Sequence, residues 1–405
     1  MYFQKIISFL LSVILFFSSG AGLGKVDLDT ARAMSSSAYA QEGYRLTEYI
    51  LKKSYDPIRH VFKENLGDGG TAYIWATGSV IEMIADAYRL FPANLKLRAY
   101  YSDALTKVLK NYLVENAEIT TPGRTHSGVS YYNASTGNRG DYYYDDNEWI
   151  CIELLRGYLQ LGKKELLNAA LTNLDFLWTG WDDALGGGLY WSMGCEGKNA
   201  CANAPAAIAF LLAYQCTGNE EYLEKGKMIY QWANENLREN DLFIDAINVA
   251  TGNKDHWKGV YNQATMIYAG CLLYEITGER EWYDLTRATV QAVETLMFTE
   301  TGTEDGGTEV SMNPNPIFNA WCVGWLARSL VKYYEVDPDR DPRPMALLDA
   351  VLQKELATKD AEGLFDPFFC SGDSFPDQYR ELLAQDGVAS VLLNAAWYEA
   401  VLKAR

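Results

Sequence analysis

Two adjacent carboxylates, Asp145 and Asp146, stand among aromatics in the run Tyr142-Tyr143-Tyr144-Asp145-Asp146-Asn147-Glu148-Trp149. Two close carboxyl groups cannot ionise independently. The first negative charge opposes the second, so one pKa rises and the pair supplies an acid and a base near neutral pH. Cleavage of an acetal needs this division of labour: one group protonates the leaving oxygen while the other attacks carbon or stabilises its developing charge. The flanking rings offer flat apolar faces suited to a sugar. A structural reading competes, because Asp is an ordinary helix cap. One carboxylate suffices to cap, however, and the second adds repulsion that capping does not explain.

Other chemistries have little material. Three histidines (His60, His126 and His256) leave few ligands for a metal site and few partners for a Ser-His-Asp triad. No metal and no cofactor is expected, and His256, between Asp255 and Trp257, is assigned no role. The net charge is −18, from 53 acidic against 35 basic residues, with no basic run. Such a chain repels phosphate backbones, so a nucleic-acid partner is not expected. Asp182-Asp183 is a second acidic pair, read as a turn or an outer subsite, and Trp191 and Trp257 are read equally well as core or as sugar platforms.

The elements that position these residues repeat. An apolar helix ends at a Gly and a charged amphipathic helix follows at Leu161-Gly162-Lys163, Thr217-Gly218-Asn219 and Thr277-Gly278-Glu279. Gly just past a helical run is the usual left-handed terminator. Residues 204–214 are almost entirely apolar, which marks a helix enclosed on every side. The helix after Gly218 has one apolar stripe, Leu223, Gly226, Tyr230, Ala233 and Leu237, and so packs on one face. The apolar helices also share polar starts at Asp146, Asn203, Asn262 and Asn319, spaced 57, 59 and 57 residues apart. Further starts near Thr71 and Gln385 make six. About twelve helices alternating outer and inner, closed into one all-α (α/α)6 toroid, fit this period. Few strand signals compete; Gly186 to Trp191 reads as a short loop or hairpin, and Asp337 to Pro344 as a solvated connector.

In such a toroid the six inner helix starts meet at one mouth. Asp145, Asp146, Asn203, Asn262, Asn319 and Asp386 would face it, ringed by Trp75, Trp149, Tyr261 and Trp321. An Asn at such a start is first of all a cap.

The run Tyr143-Tyr144-Asp145-Asp146-Asn147 resembles the signature of glycoside hydrolase family 76, the endo-α-1,6-mannanases. The likeness continues in Gly186-Gly187-Gly188-Leu189-Tyr190-Trp191, in Lys198-Asn199-Ala200 leading to Asn203-Ala204-Pro205, in Asp245, and in Tyr261-Asn262-Gln263. It implies an (α/α)6 fold and cleavage of α-1,6-mannan with retention of configuration. Asp145 would be the nucleophile and Asp146 the acid/base. Trp75, Tyr144, Asn203, Asp245, Tyr261 and Asn262 are the expected substrate contacts, and α-mannan the expected partner of a monomeric chain. Glu148 departs from the pattern, where a small residue is commoner, as does Ala264, where Gly is. A mannan transglycosylase on the same fold and a non-catalytic glycan-binding surface protein are the alternatives.

Lys5, the apolar run from Ile6 to Phe17, and the small residues that follow read as a secretory signal peptide over residues 1–24. Cleavage is expected near Ala21, or as late as Ala38-Tyr39-Ala40, leaving one catalytic domain over 41–405. The product is expected to be secreted or at the cell surface, without a stable membrane anchor. Of seven cysteines, Cys151, Cys216, Cys271 and Cys322 read as small buried apolar residues. Cys195 and Cys201 are the candidates for a disulfide.

Overall fold

The computed structural model describes residues 37–121, 124–137, 140–367, 369 and 381–403, so the expected signal segment 1–24 lies outside the described residues. Among the described residues the apolar and amphipathic stretches form twelve α-helices in six pairs. They are α1 (Ala38–Ser54) and α2 (Ile74–Leu90), α3 (Leu95–Asp103) and α4 (Tyr144–Leu161), and α5 (Lys164–Trp178) and α6 (Ala200–Thr217). The chain continues with α7 (Glu220–Asn236) and α8 (Val260–Thr277), α9 (Arg280–Met297) and α10 (Ala320–Val336), and α11 (Arg343–Glu355) and α12 (Leu382–Trp397). The even-numbered helices are the inner ones. Each packs on the next, and α12 packs on α2, which closes the ring. The sequence period thus ends in a toroid rather than an open solenoid.

Local chemistry explains the helix ends. Gly162, Gly218 and Gly278 each adopt φ of 70° and give their N–H to Tyr158, Tyr214 and Tyr274. The apolar helix α6 is long enough to cross a membrane, yet here it is an inner wall of the toroid, with 72% of it buried. Ala38-Tyr39-Ala40, the later of the two expected cleavage points, lies inside α1. There Tyr39 is buried and bonds Asp349 at 2.6 Å.

The inner helices begin two or three residues before the expected Asp146, Asn203 and Asn262, so these are not caps. Asn319 does cap, accepting the Cys322 N–H at 3.3 Å. One turn inside four of the helices stands a carboxamide with a different task. Asn147 accepts the Tyr132 N–H at 2.7 Å and donates to the Tyr132 carbonyl at 2.9 Å. Asn203 does the same to Leu189 at 2.8 and 3.0 Å, and Gln263 to Phe243 at 2.7 and 2.7 Å. Gln385 clamps Phe365 at 3.2 and 2.8 Å. Each side chain satisfies both polar groups of one buried residue in the loop that precedes its helix, and so fixes that loop against the mouth of the ring.

Short sheets extend the expected architecture. The longest hairpin pairs β3 (Leu113–Thr121, after the short hairpin β1, Tyr55–Asp56, with β2, Val61–Phe62) with β4 (Arg124–Tyr132). A three-stranded sheet joins Gly197–Asn199, Ala246–Asn248 and Lys254–Asp255 beside the mouth. The β3–β4 hairpin is partly exposed and carries bulges near Ala117, which break the alternation by which a strand is recognised.

The toroid axis holds charges that the sequence reading did not anticipate. Asp86 receives Arg156 at 2.6 Å, Arg328 at 2.8 Å and Asn394 at 2.8 Å, while Glu153 receives Arg156 at 2.6 Å. Burial opposes ionisation of Asp86, but Arg328, Arg156 and Arg89 overcome it and hold the carboxyl well below its usual range. Charges this deep persist because they are mutually paired and hydrogen-bonded.

The seam between α10 and α12 leaves no room for a side chain at Gly387. A Cβ there would lie 2.3 Å from the Ala320 carbonyl carbon and 2.4 Å from the Trp321 nitrogen. Both are backbone atoms that cannot rotate aside. Gly387→Ala should therefore destabilise the fold by about 3 kcal/mol, the upper range for overpacking, seen as a lower melting temperature. An unchanged melting temperature would show that this seam is looser than described.

Candidate active site

The mouth of the ring is a cleft of about 490 Å³ whose lining includes Trp75, Tyr143, Trp149, Trp191, Trp257, Tyr261, Phe318 and Trp321 around Asp145, Asp146 and Asp245. Tyr143 and Trp191 pack with ring centroids 5.1 Å apart on one side. Trp75 and Phe318 stack at 6.3 Å on another. Aromatic faces around carboxylates suit a ligand with apolar ring faces and hydroxyl edges.

Asp145 and Asp146 occupy the first turn of α4, where the positive end of the helix dipole favours an anion. Their surroundings differ. Asp145 accepts the Trp191 indole N–H at 2.7 Å and the Asp146 backbone N–H at 2.9 Å. Burial pushes its carboxyl up to about 6, and these donors restrain the rise. At Asp146 burial acts first and the negative charges of Asp145 and Asp141 add to it, so that carboxyl rises well above the usual range. Near neutrality the pair therefore holds one proton, and the donors around Asp145 leave it on Asp146. A carboxylate and a carboxylic acid side by side can act as nucleophile or base and as general acid.

Glu148, one turn further along α4, is fully buried, and neither of its oxygens meets a hydrogen-bond donor among the described residues. Burial, then Asp145 and Asp146, push it well up, so it stands behind the pair as a neutral acid.

The expected contacts separate into two groups. Trp75, Asp245 and Tyr261 line the cleft with the pair. Asp245 is held there by Asn262 at 3.1 Å and Asn199 at 3.2 Å. Tyr144, Asn203 and Asn262 do not line the cleft. Tyr144 is fully buried, stacks on Phe176 at 5.0 Å and bonds Thr179 at 3.0 Å, because a 100° turn per residue sends it away from Asp145. Asn203 is consumed by its clamp on Leu189, and Asn262 acts through Asp245. Asn319 remains a cap, and Asp386 is buried on α12 away from the lining.

Other expectations change too. Cys195 and Cys201 are both free thiols: Cys195 takes the Ser192 N–H and bonds the Gly197 carbonyl, while Cys201 lines the cleft. Of the two readings of Asp182-Asp183, the turn is the one seen: Asp182 accepts the Ala184 N–H at 3.1 Å, the buried Lys198 at 2.7 Å and the Tyr190 hydroxyl at 2.9 Å. Lys198 also donates to the carbonyls of Ala184 and Gly187, which secures the loop that carries Trp191. In that loop Gly188 has φ of 88°, and a Cβ would lie 2.5 Å from Trp232. Tyr143, Asn199, Cys201 and Phe318 were not singled out as contacts. The available signal was position, since Tyr143 and Phe318 each stand within two residues of an inner helix start.

The family model described as glycosyl hydrolase family 76 matches residues 32–363. The chain belongs to that family. Mannan endo-1,6-alpha-mannosidase DCW1 of Candida glabrata is 26% identical to this family 76 chain over 227 residues, 49% of this chain and 46% of that protein. The DCW1 mannosidase of Saccharomyces cerevisiae is 30% identical over 125 residues, 28% of each. The matches thus span less than half the length of these curated relatives. Among solved structures, a family 76 mannosidase of Bacteroides thetaiotaomicron VPI-5482 superposes with a TM-score of 0.77 at 20% identity, over 90% of this chain and 99% of that one. An inactive variant of the α-1,6-mannanase of Salegentibacter sp. HEL1_6, with asparagine in place of two consecutive aspartates, was solved with α-1,6-mannotriose. It superposes with a TM-score of 0.69 at 21% identity, over 88% and 99% of the two chains. These likenesses establish the (α/α)6 fold of the family 76 chain.

Two outcomes follow from the geometry of the family 76 site. The Trp191 N–H favours ionised Asp145, so Trp191→Phe should raise that pKa and move the acidic limb of kcat/KM from near pH 6 upward. A shift of about one unit is expected for one charge-assisted bond; a limb that stays in place would separate Trp191 from the ionisation. Asn203→Ala should orphan two buried backbone groups of Leu189, at about 1–3 kcal/mol each. Its melting temperature should fall, whereas a residue serving only as a ligand contact would leave stability intact.

Proposed function

We propose that this chain is a secreted endo-acting hydrolase of α-1,6-linked mannan that retains anomeric configuration, with residues 1–24 as the export signal and 41–405 as the catalytic domain. The observation that carries the reading is the unequal pair: Asp145 surrounded by donors and Asp146 by negative charge, side by side in an aromatic cleft. Family membership and the mannan-active relatives supply the substrate class.

Adjacency argues for retention. Neighbouring Cα atoms lie about 3.8 Å apart, which suits the roughly 5–5.5 Å between the carboxyls of a retaining enzyme. It does not suit the roughly 6.5–9.5 Å that an inverting enzyme needs for its water. In the first step the Asp145 carboxylate forms a bond to the anomeric carbon while the bond to the leaving oxygen breaks, and Asp146 gives that oxygen its proton. In the second, Asp146 takes a proton from water, the water oxygen bonds the same carbon, and Asp145 leaves as the carboxylate. The two inversions restore the α configuration. Trp75 and Tyr261 present ring faces to the sugars, and Asp245 accepts hydrogen bonds from sugar hydroxyls at the cleft wall.

Linear α-1,6-mannan and a panel of other polysaccharides should separate this substrate from its rivals by release of reducing ends. Asp146→Ala should lose a factor of about 10²–10⁴, and less on substrates with a good leaving group. Added azide should then trap the intermediate and give the α-azide. Asp145→Ala should give the β-azide by direct displacement. The reverse products would exchange the two roles, and near-normal activity in both variants would remove the reaction from this pair.

A further inference from the structure

The polar group beneath the cleft floor does not belong to the reacting pair. Glu82, on α2, is enclosed on all sides. Its Oε2 accepts the Trp321 indole N–H at 3.0 Å and meets Arg328 at 3.4 Å, and its Oε1 accepts the Trp325 indole N–H at 3.3 Å. Trp321 is the hub of the aromatic lining. It meets Trp75 edge-on at 5.2 Å and 84°, Trp149 edge-on at 5.0 Å and 89°, and Tyr261 at 5.9 Å and 44°. All four rings line the cleft. Trp149 also rests on Trp325 at 5.2 Å, so both indoles held by Glu82 support it.

Neutralising charge does not account for Glu82. Arg328 already has Asp86 at 2.8 Å, closer than Glu82. Burial, against the pull of Arg328, pushes the Glu82 carboxyl up to about 8, in contrast to its neighbour Asp86. What Glu82 supplies is acceptor oxygens at two indole N–H groups. The terminal torsion of a Trp side chain is broad and roughly twofold, so the torsion itself selects its orientation weakly. An acceptor on one side selects one orientation. The other would bury the N–H unpaired.

We propose that Glu82 is a positioning residue for ligand recognition: through the Trp321 indole N–H it sets the edge-on stance of Trp321, and with it the shape of the floor on which a sugar ring docks. The ligand class in this inference rests on the reading of the cleft as a mannan site; the clamp on Trp321 does not.

The test compares Glu82→Leu, Glu82→Gln and Trp321→Phe, alone and with Glu82→Leu and Trp321→Phe combined. Glu82→Leu should weaken α-1,6-mannotriose binding by about tenfold and raise KM more than it lowers kcat. Glu82→Gln keeps one acceptor oxygen for the Trp321 N–H, gives up the one at Trp325, and should bind clearly better than Glu82→Leu, within about threefold of the parent. In the Trp321→Phe background the Trp321 N–H is gone and Glu82 still holds only Trp325 and Arg328, so adding Glu82→Leu should cost clearly less than the roughly tenfold it costs in the parent. Independent, multiplying losses in the combined variant would overturn the clamp, as would a Gln variant that binds as poorly as the Leu variant. Should Glu82→Leu fail to fold, Glu82→Gln is judged against the parent: binding within about threefold keeps the proposal, and a loss of about tenfold overturns it. If the parent neither binds mannotriose nor cleaves mannan, the glycan reading has failed, and near-UV circular dichroism then tests the clamp without substrate. The band lost in Trp321→Phe should also be altered by Glu82→Leu, and an unaltered band would overturn the proposal.

Discussion

A carboxamide carries an acceptor oxygen and a donor nitrogen about as far apart as the N–H and C=O of an extended residue. Placed one turn inside a helix, it can therefore replace a missing strand partner. Asn147, Asn203, Gln263 and Gln385 all do this, to Tyr132, Leu189, Phe243 and Phe365. The connections of the ring would otherwise bury backbone groups with nothing to bond, at a cost comparable to a lost hydrogen bond for each. Because the clamped residue lies in the connection that leads into the helix, the amide ties that connection to the helix start. Leu189 leads into Trp191, and Phe243 into Asp245. The cleft walls are thus hung from the same amides that complete the ring.

Electrostatics works against solvation at two depths. In the cleft, burial raises both carboxyls of the pair, and a single indole donor makes one of them the easier anion. On the axis beneath, burial is met by three guanidiniums, and Asp86 stays ionised. The contrast turns on partners rather than depth. Donors and cations decide which carboxyl carries charge, and their absence leaves Asp146 and Glu148 protonated. Raised carboxyl pKa values carry a cost in stability that grows with pH. Above the unfolded carboxylate range the unfolded chain gives up these protons readily while the folded one retains them, so the contribution of these groups to stability falls as pH rises towards and past 6.

Much of the architecture was legible because it rests on periodic, local signals. Glycine terminators at Gly162, Gly218 and Gly278, and helices apolar all round, convert directly into inner and outer layers. The aspartate pair, Asp245 and Tyr261 lie in compact runs and Trp75 beside an inner helix start, and these positions were enough to place all five at one cleft. Asn203 and Asn262 were misread because a polar residue near a helix start looks the same whether it caps, clamps or touches a ligand. Only the partner distinguishes these, and for Asn203 it is fourteen residues away. Trp191 reaches Asp145 across 46 residues, a link no window reveals. The buried charges had left a trace: Glu82, Asp86 and Arg89 share one face of an otherwise apolar α2.

Closure of the ring has a consequence for how the molecule is made. The bond from Arg89 to Asn394 joins α2 to α12 across 305 residues, and Ser37 reaches Glu399 across 362. Contacts so distant in sequence form late, since the chain must first lose the freedom of the long loop between them. Until α12 arrives, Asp86 lacks one of its donors, and the flank of α2 that α12 covers is open to water and to other chains. A nascent or truncated chain without α12 is therefore the species most prone to aggregate. In that sense α12 is the lid over the flank of α2.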